Sequence, residues 1–137
     1  MAEALRDGLR RSPTLAALVQ RIDELDGVVY FEGRAQLSKR SDRPLLGSMS
    51  HAVSTTPAFR VIRIFVTPSA GNVTIATLGH ELRHAIEVLE DGGAVDVATV
   101  GLLYDRIGRR TRTGVYETNA AQQTGDRVMD ELVHCRR

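Results

Sequence analysis

The chain has 137 residues, of which 42% are hydrophobic and 26% are charged, and its formal net charge is +1. This length suits a single domain over residues 1–137, and the composition excludes a disordered or fibrous protein. So small a net charge gives no reason to expect a nucleic acid or an anionic membrane as partner, and no apolar run approaches the roughly 18 residues of a membrane span.

The first part of the chain predicts two short helices and then strands. Apolar residues recur at three- and four-residue spacing through residues 2–25, which is typical of an amphipathic helix. Ser12 and Pro13 divide this run, because serine is a good N-cap and proline suits the first position of a helix. The β-branched and aromatic run Val28–Phe31 predicts a strand, and Gly33 opens a return strand through Leu37.

The middle of the chain predicts two further strands. Residues 45–55 alternate small polar and apolar side chains, as in an edge strand with one face in water. Phe59–Val66 is mostly apolar on both alternating faces and precedes Pro68, which predicts a buried strand that the proline ends. Three helices follow, over about residues 72–90 with Asn72 as N-cap, 95–107 and 116–134. Strands first and helices later indicate an α+β domain with a small mixed sheet.

The sequence His80-Glu81-Leu82-Arg83-His84 gives the first of these helices a metal-binding face. At about 100 degrees per residue, His84 lies about 40 degrees from His80 and one turn further along, so both imidazoles leave the same face. The apolar residues Leu78, Leu82, Ala85, Ile86 and Leu89 cluster opposite them. Zinc accepts two neutral imidazoles, and Glu81 can reach a water on the metal more easily than the metal itself. An ordinary solvated helix face is the alternative.

A catalytic zinc ion needs a third protein ligand and one open position. One branch of zincins supplies a glycine and then a histidine after the second histidine, but Glu87 stands at that glycine position, and we expect it to pair with Arg83. Glu117 is the better candidate, because it belongs to a stripe of the last helix whose other members are small or apolar. An unpaired carboxylate there would be costly, so we expect metal ligation, with stabilisation by the helix dipole as the alternative.

Together, the metal helix and the sequence Tyr116-Glu117-Thr118-Asn119-Ala120-Ala121 resemble the gluzincin group of zinc metallopeptidases, and more narrowly a minimal single-domain minigluzincin core. The resemblance implies a zincin fold, in which a small mixed sheet packs against the metal helix and a C-terminal helix that carries the third ligand. It also implies zinc (Zn2+) as cofactor, Glu117 as third ligand, and pairing of a peptide substrate with the strand beside the metal helix. Ala121 departs from the aspartate of thermolysin-like members, which leaves Asn119 as a candidate to orient a histidine ligand.

Other residues have two interpretations each. Zincins usually add a donor that stabilises the oxyanion of the tetrahedral intermediate, and the candidates are Tyr116, which we take first, Tyr104 and His51; each can also be a packing residue. Four arginines precede Glu117. They form either a solvated loop or a clamp for a substrate carboxylate: Arg106, Arg109, Arg110 and Arg112.

The leading hypothesis is a zinc metalloendopeptidase, a hydrolase in which Glu81 takes a proton from water and later gives it to the leaving amine. We expect a monomer that acts on peptides or proteins. The alternatives are a non-catalytic zincin-fold domain that binds metal or a protein partner, and a helical interaction domain without metal. Cys135 is the single cysteine of the chain, so an internal disulfide is excluded. The compartment stays open between the cytoplasm and export followed by removal of a leader.

Overall fold

The computed structural model describes residues 1–35, 45–112 and 114–135. Within them lie the helices α1 (Ala2–Arg11), α2 (Pro13–Asp23), α3 (Val73–Glu90), α4 (Val97–Ile107) and α5 (Asn119–His134). The strands are β1 (Gly27–Gly33), β2 (Gly47–Met49), β3 (Ser54–Thr55), β4 (Arg60–Val66), β5 (Arg109–Arg110) and β6 (Tyr116–Glu117). The predicted α+β class with a small mixed sheet is confirmed. No helix in this part of the chain is long and apolar enough to cross a membrane.

Strand β4 is the centre of the main sheet. It pairs in parallel with β1 along one edge, and antiparallel with β2 and then β3 along the other. The single edge strand predicted over residues 45–55 is therefore two short strands, because the chain turns between them, where the Val53 amide donates to the His51 carbonyl. The predicted return strand Gly33–Leu37 falls partly outside the described residues, and Gly33 itself ends β1.

Helix α3 fills the space between the sheet and the other helices. One face of β4, formed by Ile62, Ile64 and Val66, is fully covered, whereas Arg63 on the other face is exposed. The predicted buried strand is therefore confirmed for one face only, because Val61 and Phe65 on the other face are half-buried. On its other side α3 packs closely against α5: a Cβ atom at Gly79 would lie 2.8 Å from Cγ2 of Val128. This close approach explains the glycine in the middle of a helix.

The helix starts follow their capping side chains. The Ser12 hydroxyl accepts from the Leu15 amide, as predicted, and Asp96 forms a capping box that starts α4 at Val97 rather than near residue 95. The prediction that the last helix begins at Tyr116 was wrong, because the Thr118 hydroxyl accepts from the Ala121 amide and fixes the start at Asn119. Asn72 precedes α3, but its side chain makes no capping hydrogen bond.

Arg60 ties the C-terminal end of α3 to the sheet. Its guanidinium is buried and donates to the backbone carbonyls of Val88 and Leu89 at 3.0 and 2.6 Å. It also donates to the carbonyls of Asp91 and Ala94 and forms an ion pair with Asp26 at 3.0 Å. The last carbonyls of a helix have no partner within the helix, so one side chain from β4 satisfies the C-terminal end of α3.

We expect Arg60→Met to lower the free energy of unfolding by about 2–4 kcal/mol, because it leaves several buried carbonyls without a donor. Urea denaturation followed by circular dichroism measures the change. Arg63→Met is the matched control, since Arg63 lies exposed on the same strand, and it should change stability by no more than about 0.5 kcal/mol. Equal effects of the two substitutions would contradict the capping role.

Candidate metal centre

Helix α3 and strand β6 bring three potential metal ligands together. The rings of His80 and His84 lie one helical turn apart with centroids 5.0 Å from each other, and Glu117 on β6 faces both. Nε2 of His80 lies 3.4 Å from Oε2 of Glu117, and Nε2 of His84 lies 3.5 Å from Oε1. The side chains of the three residues are 22, 7 and 19% exposed, in chain order. The sequence had selected these three residues, although Glu117 lies on a short strand and not on the last helix.

These separations suit a bound cation. The two histidines approach different oxygens of Glu117, so its carboxylate faces both rings. The donor atoms of all three residues lie within 4.8 Å of one another. The group His80, His84 and Glu117 can therefore hold a metal ion, and two nitrogens with one carboxylate oxygen are a donor set that zinc accepts.

Glu87 fixes the orientation of His84. Its Oε2 lies 2.9 Å from Nδ1 of His84, and its Oε1 accepts from the Thr118 hydroxyl at 2.7 Å. A carboxylate at Nδ1 places the ring proton there and leaves Nε2 free for a metal. The predicted pairing with Arg83 is only a long contact of 3.9 Å. Sequence reasoning missed this role, although Glu87 follows His84 by three residues and so lies on the same helix face.

Asn119, the residue that the sequence suggested for this orienting role, faces away from the histidines. Its Oδ1 accepts from Arg109 at 2.6 Å. Tyr104 supports His84 instead: its hydroxyl lies 3.2 Å from Nδ1 and donates to the His84 backbone carbonyl at 3.2 Å. Burial and the neighbouring carboxylate of Glu87 raise the pKa of Tyr104, so its hydroxyl stays protonated.

The pKa values of the metal-free centre show how strongly its groups interact. Burial alone would lower the pKa of His84, but hydrogen bonds to Glu117 and Glu87 outweigh it and raise that pKa to about 9. Burial would likewise raise the pKa of Glu117, yet its contacts with His80 and His84 hold it far below the usual range. The raised pKa means that His84 carries an extra proton in the metal-free protein. A metal cation among the same carboxylates can replace the positive charge of that proton.

Glu81 differs from the other carboxylates of the centre. It is 5% exposed, and burial raises its pKa. None of the described residues donates a hydrogen bond to it, so its carboxylate opens on the cavity beside the histidines. Its side chain lies over Gly47 of β2, where a Cβ atom would be 2.5 Å from Oε1 of Glu81. A buried carboxylate of raised pKa is suited to accept a proton near neutral pH.

The three candidate oxyanion donors form one cluster of rings. His51 stacks on Tyr104 and on Tyr116, with centroids 5.4 and 5.7 Å apart. The hydroxyls of both tyrosines are already engaged: that of Tyr116 donates to Asp105 at 2.6 Å. No hydrogen bond to the His51 side chain comes from the described part of the chain. Its ring nitrogens are therefore free to bond to a ligand in the cavity.

The four arginines before Glu117 do not act as one group. Arg106 pairs with Asp91 at 2.6 Å, and Arg109 donates to Asn119 and Gln122. Arg112 is exposed. Arg110 alone lines the cavity of the metal centre, where it donates to the Tyr116 hydroxyl at 3.2 Å.

The cavity has a volume of about 770 Å³, which is within the usual size of a small-ligand site. It extends along α3 from Val73 to His84, and Gly47–Met49 of β2 forms part of its wall. Comparison with protein-family models, with curated proteins and with solved structures finds no match to this chain.

We expect Glu87→Gln to weaken metal binding about 10- to 100-fold, because the His84 ring loses the carboxylate that orients it. Competition with a chromophoric chelator measures the dissociation constant for zinc. The control is Glu90→Gln, on the same helix, whose carboxylate pairs with Arg21 at the surface. An unchanged affinity in Glu87→Gln would contradict the orienting role.

The metal-free protein should lose stability as the pH rises from about 6.5 to about 9. The folded-state pKa of His84 lies above its usual value of 6.5, so its contribution is complete below that value and is lost as the pH passes the folded pKa. Each unit of difference between the two pKa values is worth about 1.4 kcal/mol. Urea denaturation at several pH values tests this, with His84→Gln expected to remove the dependence and His134→Gln, at an exposed position, to keep it. A flat wild-type profile would contradict it.

Proposed function

We propose that this protein is a zinc-dependent metallopeptidase of the gluzincin type. One observation carries the proposal: His80, His84 and Glu117 each offer a ligand atom within 4.8 Å of the others, beside the buried carboxylate of Glu81, to which no described residue donates a hydrogen bond. A purely structural metal site needs a fourth protein ligand and has no use for Glu81.

The strand beside the metal helix supports a peptide as the substrate. Strand β2 pairs with β4 along one edge, and no described strand covers its other edge. Gly47, Ser48 and Met49 all line the cavity. An extended peptide can add to such an edge through main-chain hydrogen bonds, and it would then pass directly over Glu81.

The residues divide the chemistry between them. His80, His84 and Glu117 would hold the zinc ion, which supplies Lewis acidity toward a carbonyl and toward water. Glu81 accepts the proton of the attacking water and passes it to the leaving amine nitrogen. Glu87 keeps Nε2 of His84 directed at the ligand site.

We favour His51 over Tyr116 as the donor that stabilises the oxyanion. The Tyr116 hydroxyl donates to Asp105, and the Tyr104 hydroxyl donates to the His84 carbonyl. His51 lines the same cavity and has no competing partner among the described residues. A neutral imidazole N–H can stabilise developing negative charge, and the burial that lowers the pKa of His51 favours this neutral form.

We expect Glu81→Gln to keep one zinc ion per chain and to lose about 10²- to 10⁴-fold in kcat, since it removes the group that transfers protons. Elemental analysis and an assay against an unbiased peptide pool measure the two quantities. Glu90→Gln should match the wild type in both, and Glu117→Ala should lose the metal.

Two outcomes would overturn the proposal. A wild-type protein that carries stoichiometric zinc and cleaves no peptide would favour the non-catalytic binding domain. A fully folded wild-type protein that takes up no metal would leave an interaction domain in which the histidine pattern is accidental.

A further inference from the structure

Arg110 places a solvent-exposed positive charge in the wall of the cavity, and the Tyr116 hydroxyl to which it donates is shared with the carboxylate of Asp105. It is the one lysine or arginine among the described residues that line this space, and no described carboxylate lies within ion-pair distance of it. Its guanidinium lies over the Tyr116 ring at 5.0 Å from the centroid and donates to the hydroxyl of that residue. The ring thus holds the charge in place and leaves most of its donors free for another acceptor.

Its location relative to the ligands is fixed by strand pairing. In the β5–β6 pair, Arg109 stands opposite the ligand Glu117 and Arg110 stands opposite Tyr116. Paired strands lie about 4.8 Å apart, and an extended chain advances about 3.3 Å per residue. Side chains alternate along a strand, so Arg110 shares the face of Tyr116, next to the ligand, and both Arg110 and Glu117 line the cavity. A peptide bound along this cavity would therefore pass the guanidinium within a few residues of Glu117.

The chemistry of the bound group follows from that of the guanidinium. A planar fork of N–H donors fits a carboxylate, and carboxylates are the negatively charged groups that an unmodified peptide offers. We propose that Arg110 forms a subsite for a substrate carboxylate, either an acidic side chain or the free chain terminus, one or two residues from the cleaved bond. This inference rests on the proposed peptidase function and names its substrate class.

The neighbouring arginines show why the subsite is confined to one residue. The charges of Arg106 and Arg109 are directed to Asp91 and to the amides of Asn119 and Gln122. Arg112 is exposed, as Arg110 is, but it does not line the cavity. Arg112 is therefore a matched control, because changing it alters the charge of the same segment without altering the cavity.

A binding experiment tests the subsite without turnover. Zinc-loaded protein is titrated calorimetrically with short peptides that carry a metal-binding hydroxamate at the N-terminal or the C-terminal end, so that both directions along the cavity are probed. Within each series the two residues next to the hydroxamate are varied in turn among Glu, Gln and Lys, with all termini blocked. A further pair of peptides carries Gln at the varied positions and ends either in a free C-terminal carboxylate or in its amide. This pair distinguishes a preference for the chain terminus from a preference for an acidic side chain.

We expect the wild type to bind one Glu peptide, or the free acid, about 3- to 10-fold more tightly than its neutral match. Arg110→Met should reduce this ratio to about one, Arg110→Glu should favour Lys, and Arg112→Glu should behave as the wild type.

An unaltered ratio in Arg110→Met, or no preference for a carboxylate in the wild type, would overturn the inference. Failure of the neutral hydroxamate to bind zinc-loaded wild type would overturn it together with the metal centre. A carboxylate preference that depends on Arg110, in a protein that hydrolyses no peptide, would support the subsite and refute only the peptidase activity.

Discussion

The site depends on the balance of charge around two imidazoles. Helix α3 and the segment before α5 bring Glu81, Glu87 and Glu117 to the same few ångströms, all largely removed from water. Unpaired buried carboxylates are costly, so this arrangement requires positive charge among them. In the metal-free protein the proton on His84 supplies part of it, which is why the pKa of that residue is raised. A divalent cation held by the candidate ligands His80, His84 and Glu117 would supply more, at the point where the carboxylate and imidazole atoms converge.

Local periodicity was enough to find the face of α3 that carries the two candidate metal ligands. The apolar residues of this helix are buried against the sheet, and His80 and His84 leave the opposite side. Glu117 was selected for its polarity on an otherwise apolar stripe, and the residue lies at the centre, but it does so on a short strand whose partner is Arg109. The helix start could not be predicted from periodicity, because the Thr118 cap decides it.

Contacts between segments that are far apart in the chain could not be predicted from the sequence. Arg60 looked like a polar interruption in a buried strand, yet its guanidinium closes the end of α3, some thirty residues later in the chain. The pairing of Glu87 with His84 had a signal in the spacing, but the equally good spacing to Arg83 competed with it. Glu87 reaches His84 rather than Arg83 because its other carboxylate oxygen accepts from the Thr118 hydroxyl. That hydroxyl comes from a different segment of the chain, so the spacing within α3 could not reveal it.

The glycine of β2 has a consequence for how substrate and base would communicate. At residue 47 the backbone touches the carboxylate of α3 directly, with no side chain between them, because a methyl group there would overlap Oε1 of Glu81. The backbone of β2 at Gly47 and the carboxylate of Glu81 are therefore in direct van der Waals contact. In the proposed peptidase, a peptide that displaced β2 would therefore also displace Glu81, so the fit of the substrate to the strand would set the position of the proton acceptor.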